Sequence, residues 1–140
     1  MGSVASNPVA SGRVSAGRLL GVGVLAAVLS AGANALVLAI ASSFLGAVVI
    51  PPEGVVTFGQ VVGASVAGAV GAAAIFAVIG RFTRRPIRMF WGVATVGLLL
   101  SFLPIALAGV TGWSAGTLAL MHVVAAVTNV GLLTTLGRVA

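Results

Sequence analysis

Long apolar stretches alternate along this chain with short segments that hold its charged residues. A helix needs roughly 20 apolar residues to cross a bilayer. Four stretches without any charged residue reach that length, at about 19–45, 58–79, 89–108 and 116–136. Prolines and glycines around Glu53, an arginine-rich loop at 81–88 and a short turn near Gly109 separate them. The pattern predicts an all-α integral membrane four-helix bundle.

The positions of the arginines predict how the bundle is oriented. Two arginines precede the first span, four lie between the second and third, and one follows the fourth: Arg13 and Arg18, then Arg81, Arg84, Arg85 and Arg88, then Arg138. Basic residues near span ends stay cytoplasmic. We therefore expect both termini and the central loop in the cytoplasm, where its four arginines contact anionic lipids, and the Glu53 loop outside.

The domain boundaries follow from the same pattern. Residues 1–17 are small and polar, which predicts a disordered cytoplasmic N-terminal tail, and 18–138 form one transmembrane domain. A signal peptide cleaved after Ala33-Asn34-Ala35 is the alternative for the first span. It is disfavoured because the apolar run continues to about Val49, where a secreted chain normally becomes polar.

Composition narrows the choice of partners. The chain has 60% hydrophobic and 6% charged residues, a mean hydropathy of +1.27 and a net charge of +6. The arginines flank apolar spans without aromatic or polar groove residues among them, so anionic lipid headgroups are expected and nucleic acid is not.

Small residues recur every four positions in the second span. One stripe consists of Gly59, Gly63, Ala67 and Gly71, and a second stripe lies beside it. Helices in lipid approach closely through such faces. We expect the first stripe at the centre of the bundle, or alternatively at a contact between subunits or with another membrane protein.

Five polar residues are candidates for a ligand site or a polar path. Lipid penalises polar groups, so those inside the spans should face protein or water. They are Asn34, Glu53, Ser101, His122 and Asn129. Pairing of Asn34 with Asn129, and of His122 with Ser101 or Glu53, is geometrically possible. The alternatives for His122 are a structural hydrogen bond, a protonation switch or ligand contact, and, least favoured, metal or haem ligation.

Pro104 lies in the outer third of the third span, where it is expected to kink the helix. It removes the hydrogen bond to the Leu100 carbonyl, and Ser101 is close enough to satisfy part of the loosened turn. A tolerated bend is the favoured interpretation, and a kink that opens an outward-facing cavity is the alternative.

Other chemistry is not expected. One glutamate without aspartate leaves no carboxylate pair for acid/base work, and the chain has no cysteine. We therefore predict no enzymatic activity, no cofactor and no metal site.

Three motifs resemble those of an actinobacterial family of short four-helix membrane proteins of unknown function, over about residues 17–138. They are Arg18-Leu19-Leu20 with Ala33-Asn34-Ala35, Leu99-Leu100-Ser101-Phe102-Leu103-Pro104, and Leu120-Met121-His122-Val123-Val124-Ala125-Ala126. The resemblance implies a bacterial plasma-membrane location and no particular activity. From the residues themselves, we expect a protein that associates through its helices with itself or a membrane partner. The alternative is an oligomeric small-solute or ion transporter or channel.

Overall fold

The described residues, 16–137 of a computed structural model, form four helices and one short hairpin. The helices are α1 (Ala16–Phe44), α2 (Phe58–Phe82), α3 (Pro86–Leu107) and α4 (Gly112–Leu136). Between α1 and α2, the strands β1 (Val49–Ile50) and β2 (Gly54–Val55) pair antiparallel. Each helix is long and apolar enough to cross a membrane. The expectation of four helices is confirmed, while the hairpin was not predicted.

Each of the four helices extends past one end of its predicted apolar stretch. α2 continues through Arg81 to Phe82, and α3 begins at Pro86 instead of residue 89. α4 begins at Gly112 instead of 116. Backbone hydrogen bonding does not stop where the apolar stretch ends, and proline suits the first position of a helix because it needs no amide donor there. Of the predicted tail, residues 1–15 lie outside the described residues, and α1 already begins at Ala16.

α1 packs along both α2 and α4. Its contact with α2 is made by small side chains, since Ala26 and Ala69 are completely buried. A Cβ on Gly23 would lie 3.4 Å from the Cβ of Ala73. Close backbone approach through small residues therefore holds these two helices together. α3 packs against α4, and more sparsely against α2.

The prediction that the stripe Gly59, Gly63, Ala67 and Gly71 packs inside the bundle is wrong. Its first three members are exposed and Gly71 is only partly buried. Ser65 and Ala69 face α1 instead, on a neighbouring stripe with the same spacing of four. The spacing could not distinguish the stripes, because the larger Val61 and Phe76 on the same face also pack into the core.

The hairpin closes one end of the bundle. Val48 is completely buried in a cluster with Leu38 and Leu118, and the Val49 amide donates to the Ser114 hydroxyl at 3.3 Å. These contacts fix the loop that carries Glu53 against the ends of α1 and α4.

An aromatic pair and an arginine hold the opposite end together. The rings of Phe76 and Phe90 pack edge-to-face with centroids 5.0 Å apart, against Leu133. Arg18 Nε donates to the Leu136 carbonyl at 2.8 Å, which brings the start of α1 to the end of α4. Both ends of the described chain therefore lie at the end of the bundle that carries the α2–α3 loop. Which side of a membrane this end faces stays a prediction, and Arg138 lies outside the described residues.

Candidate functional site

A cavity of about 750 Å³ lies between α2, α3 and α4. Of the residues of α3, all of which the structure describes, only Phe90 is buried. Gly71 on α2 and Gly97 on α3 line the cavity, and neither would have an atom within 4 Å of an added Cβ. α2 and α3 are thus joined at Phe90 and separated elsewhere, so the cavity opens sideways between them.

All five predicted polar residues line this one cavity: Asn34, Glu53, Ser101, His122 and Asn129. They come from α1, the hairpin, α3 and α4, so no single span places them together. The remaining lining is mainly apolar. The structure therefore brings the predicted candidates to one site.

Sequence reasoning missed two polar lining residues, Gln60 and Ser65. Gln60 belongs to the first turn of α2, where it accepts from the Thr57 amide at 2.8 Å and completes a capping box. The motif Thr-x-x-Gln could have placed it at the helix start. Ser65 interrupts a run of Gly, Ala and Val, and only the packing register of α2 shows that it faces inward.

Two asparagines lie in the middle of the bundle with incomplete hydrogen bonding. Asn34 and Asn129 are each 5% exposed. Asn34 Nδ2 donates to the Ser65 hydroxyl at 3.0 Å, and the Asn34–Asn129 pairing that the sequence left possible is not formed. Within residues 16–137, neither asparagine Oδ1 has a hydrogen-bond partner. Exchanging the amide oxygen and nitrogen of Asn34 only transfers the deficit to the other atom.

His122 bonds to its own helix. Its Nδ1 lies 2.7 Å from the Leu118 carbonyl oxygen, and its ring centroid is 6.3 Å from that of Phe102. Because a carbonyl oxygen only accepts, Nδ1 carries the proton and Nε2 is the acceptor in the neutral ring. The pairing with Ser101 or Glu53 that the sequence left possible is not formed, since the ring bonds to a backbone carbonyl one turn earlier.

Ser101 also bonds within its helix, donating to the Leu98 carbonyl at 2.6 Å. The expectation that it satisfies the turn loosened by Pro104 at Leu100 is therefore not met. α3 continues through Pro104 to Leu107, and the predicted kink stays a prediction.

Polarity changes along the length of the cavity. Glu53 and Gln60 line it at the hairpin end, and the two asparagines lie near the middle. Phe90 and Val130 close the other end within the apolar cluster that contains Leu133. The cavity thus has a polar mouth, a few polar groups at mid-depth and an apolar base.

Four apolar helices around a partly polar cavity are the features of a small multi-pass membrane protein. Residues 14–138 match the family model described as "Family of unknown function (DUF6069)", and the chain belongs to that family. No curated protein and no solved structure matches the chain. The predicted membership of a family of unknown function is confirmed, and the actinobacterial source stays a prediction.

Proposed function

We propose that this protein binds a small lipophilic molecule carrying a polar group in the cavity between α2, α3 and α4. The observation that carries the proposal is Asn129, which lines the cavity and is 95% removed from solvent with its amide oxygen unpaired. A buried polar group without a partner costs about 1–3 kcal/mol. A ligand that supplies the missing hydrogen bond recovers that cost.

The size and lining of the cavity support the same function. Small-molecule sites usually enclose about 300–1,000 Å³, with mostly apolar walls and a few polar groups that fix orientation. This cavity of about 750 Å³ matches that description. Its opening between α2 and α3 faces the acyl chains if the helices cross a bilayer, so a lipophilic ligand can enter from the membrane.

The geometry favours a binding site over a permanently open channel. At the arginine end the cavity stops at Phe90, whose ring packs on Phe76 beside Leu133. A transport path along Asn34, Asn129 and His122 requires this cluster to separate. An oligomeric transporter or channel, the alternative function, would therefore need a conformational change in addition to the same binding site.

A matched pair of substitutions on α4 tests the binding function. Ala126 lines the cavity, whereas the adjacent Val127 is 65% exposed on the outer surface. Ala126→Phe fills the cavity, and Val127→Phe adds the same ring to the surface. Native mass spectrometry of each variant, released from nanodiscs formed directly from membranes, measures the co-purified small molecule.

We expect an adduct of fixed mass on the wild type and on Val127→Phe, and its loss from Ala126→Phe. A melting curve of Ala126→Phe verifies that the variant is folded. Equal adducts on all three proteins would show that the bound molecule lies outside the cavity and would refute the proposed site.

Self-association is a second candidate, supported by the outward face of α2. Gly59, Gly63 and Ala67 are exposed, and neither glycine would have an atom within 4 Å of an added Cβ. A helix of a second copy or of a membrane partner can approach such a face closely. Gly63→Leu should reduce cross-linked dimer in membranes, whereas Gly32→Leu, at an exposed glycine of α1, should not. A wild type that is strictly monomeric contradicts this candidate.

The proposed location is the bacterial plasma membrane, with the arginine end in the cytoplasm. Four arginines, at 81, 84, 85 and 88, are exposed at this end and can contact anionic headgroups. The proposal assigns no catalytic step.

A further inference from the structure

Charge is distributed unequally between the two ends of the cavity. Glu53 lines the mouth and is the one acidic residue of the whole chain. No arginine belongs to the lining among the described residues. About 20 residues of α2 separate Gln60 at the mouth from Arg81, which corresponds to roughly 30 Å at 1.5 Å per residue. A ligand in the cavity therefore meets negative charge at the hairpin end and positive charge beyond the base.

The helix ends do not offset this asymmetry. α2 and α4 begin at the hairpin end, while α1 and α3 end there. Two positive and two negative helix ends oppose each other, so the helix dipoles largely cancel. The Glu53 carboxylate then determines the sign of the potential at the mouth.

The neutral acceptors of the cavity agree with this sign. The proton on His122 Nδ1 is engaged with the Leu118 carbonyl, which leaves Nε2 as an acceptor. Among the described residues, the Asn34 and Asn129 oxygens are acceptors without a donor. A donating group on the ligand suits His122 Nε2 and the amide oxygens, while the amide nitrogen of Asn129 stays a donor, so the sign of the charge at the site rests on Glu53.

We propose that the ligand is a lipophilic cation, an ammonium or phosphonium carried on an apolar body. Its charge lies near Glu53 at the hairpin end, and its body extends towards Phe90 with a hydrogen-bond donor beside Asn129. This inference rests on the proposed binding function and names the chemical class of its ligand. Glu53 is exposed, so water also reaches the charge and reduces the cost of holding it at the membrane surface.

Three probes of similar shape separate charge from apolar fit. Tetraphenylphosphonium is a cation, tetraphenylborate is an anion, and triphenylphosphine oxide is neutral. Binding of each is measured by equilibrium dialysis against the full chain in nanodiscs of zwitterionic lipid, after subtraction of binding to empty nanodiscs. Three variants accompany the wild type: Glu53→Gln removes the carboxylate, Arg84→Gln removes a charge at the far end, and Ala126→Phe fills the cavity.

We expect the phosphonium to bind the wild type about tenfold more tightly than either other probe, a difference of about 1.4 kcal/mol. Glu53→Gln should remove most of this preference, with little change in the affinity for the neutral oxide. Raising the salt concentration should have a similar effect, because ions screen an exposed carboxylate. Arg84→Gln should leave the preference in place, and Ala126→Phe should lose all three probes.

The failures of the two proposals are distinguishable. If all three probes bind equally and Ala126→Phe abolishes them, the cavity binds lipophilic molecules and the cation class is wrong. If Glu53→Gln leaves the phosphonium preference unchanged, the cation class is likewise overturned, because the preference for a positive charge then does not come from the carboxylate. If none of the probes binds, the cation proposal fails. The binding function is then decided by the separate comparison of the native adducts on Ala126→Phe and Val127→Phe.

Discussion

Replacing Asn129 by leucine should stabilise the protein while weakening its proposed ligand site. Leucine keeps the branching of the asparagine side chain but is larger, and the cavity beside Asn129 leaves room for the additional volume. Asn129 is 5% exposed, and within residues 16–137 its Oδ1 has no hydrogen-bond partner. In the ligand-free protein, therefore, the substitution removes an unsatisfied polar atom and breaks no hydrogen bond to it.

The size of the expected gain in stability follows from comparing the Asn129 amide in the folded protein with the same amide in the unfolded chain. An unpaired buried polar group costs about 1–3 kcal/mol in water-soluble proteins. Hydrogen bonds between membrane helices average only about 0.6 kcal/mol, because the unfolded chain in the membrane also finds partners. We expect Asn129→Leu to gain about 1 kcal/mol, which for a chain of this size raises the Tm by roughly 4 °C.

Asn34→Leu is the matched control, because Asn34 has the same exposure and also lines the cavity. That change breaks the 3.0 Å bond to Ser65 and leaves a buried hydroxyl without its donor. Its Tm should stay level or fall by a few degrees. Unfolding is followed in mild detergent, after removal of bound small molecules, by the fluorescence of the two tryptophans.

The reasoning is refuted if the two leucine variants are destabilised equally. Such a result would mean that the Asn129 amide is satisfied within the bundle and has no bonding capacity left for a ligand. If Asn129→Leu is stabilised but still carries the native adduct at wild-type levels, the stability argument holds. The role of Asn129 in binding the ligand is then contradicted.

Three further predictions concern orientation and packing. A cysteine in place of Thr83 should resist an impermeant thiol reagent in intact cells, while one in place of Gly54 should react; labelling at Thr83 would contradict the cytoplasmic arginine loop. Ala69→Leu should cost about 1–3 kcal/mol of stability by overfilling the α1–α2 contact. Ala67→Leu, on the outward face of α2, should cost less than about 0.5 kcal/mol. Equal melting temperatures for the two variants would contradict the packing register. Phe90→Ala should cost about 3 kcal/mol and loosen α3, seen as faster proteolysis of the α2–α3 loop; unchanged stability would mean that other contacts hold α3.

The sequence was informative where a physical rule acts on single spans. Apolar length predicted the four helices, since a stretch that is long and apolar enough to cross a membrane is expected to satisfy its backbone hydrogen bonds within a helix. The ends were less predictable, because helices such as α2 continue past the apolar region to Arg81. The hairpin at 49–55 was missed, because its two strands have only two residues each and no alternating pattern.

The same rules do not predict which face of each helix packs inside the bundle. The stripes through Gly63 and through Ala69 have equivalent spacing, and only the position of α1 decides which is buried. Hydrogen-bond pairing across helices was also not determined by the sequence, and His122 and Ser101 bond to carbonyls of their own helices. Partners across helices are determined by distances of a few ångströms, which residue spacing does not define.

The sequence nevertheless singled out five residues that line one candidate cavity, and the reason is physical. A polar residue in an apolar span must avoid lipid, and a bundle this small offers few places to do so. Asn34, His122 and Asn129 therefore reach the same cavity from α1 and α4, although none of them contacts the partner suggested by its depth. The absence of an Asn34–Asn129 bond is itself informative: had the two asparagines bonded to each other, at least one of their amide oxygens would have a partner within the bundle. Because they do not, the cavity keeps bonding capacity for a ligand, and the bundle carries a cost that Asn129→Leu should make measurable.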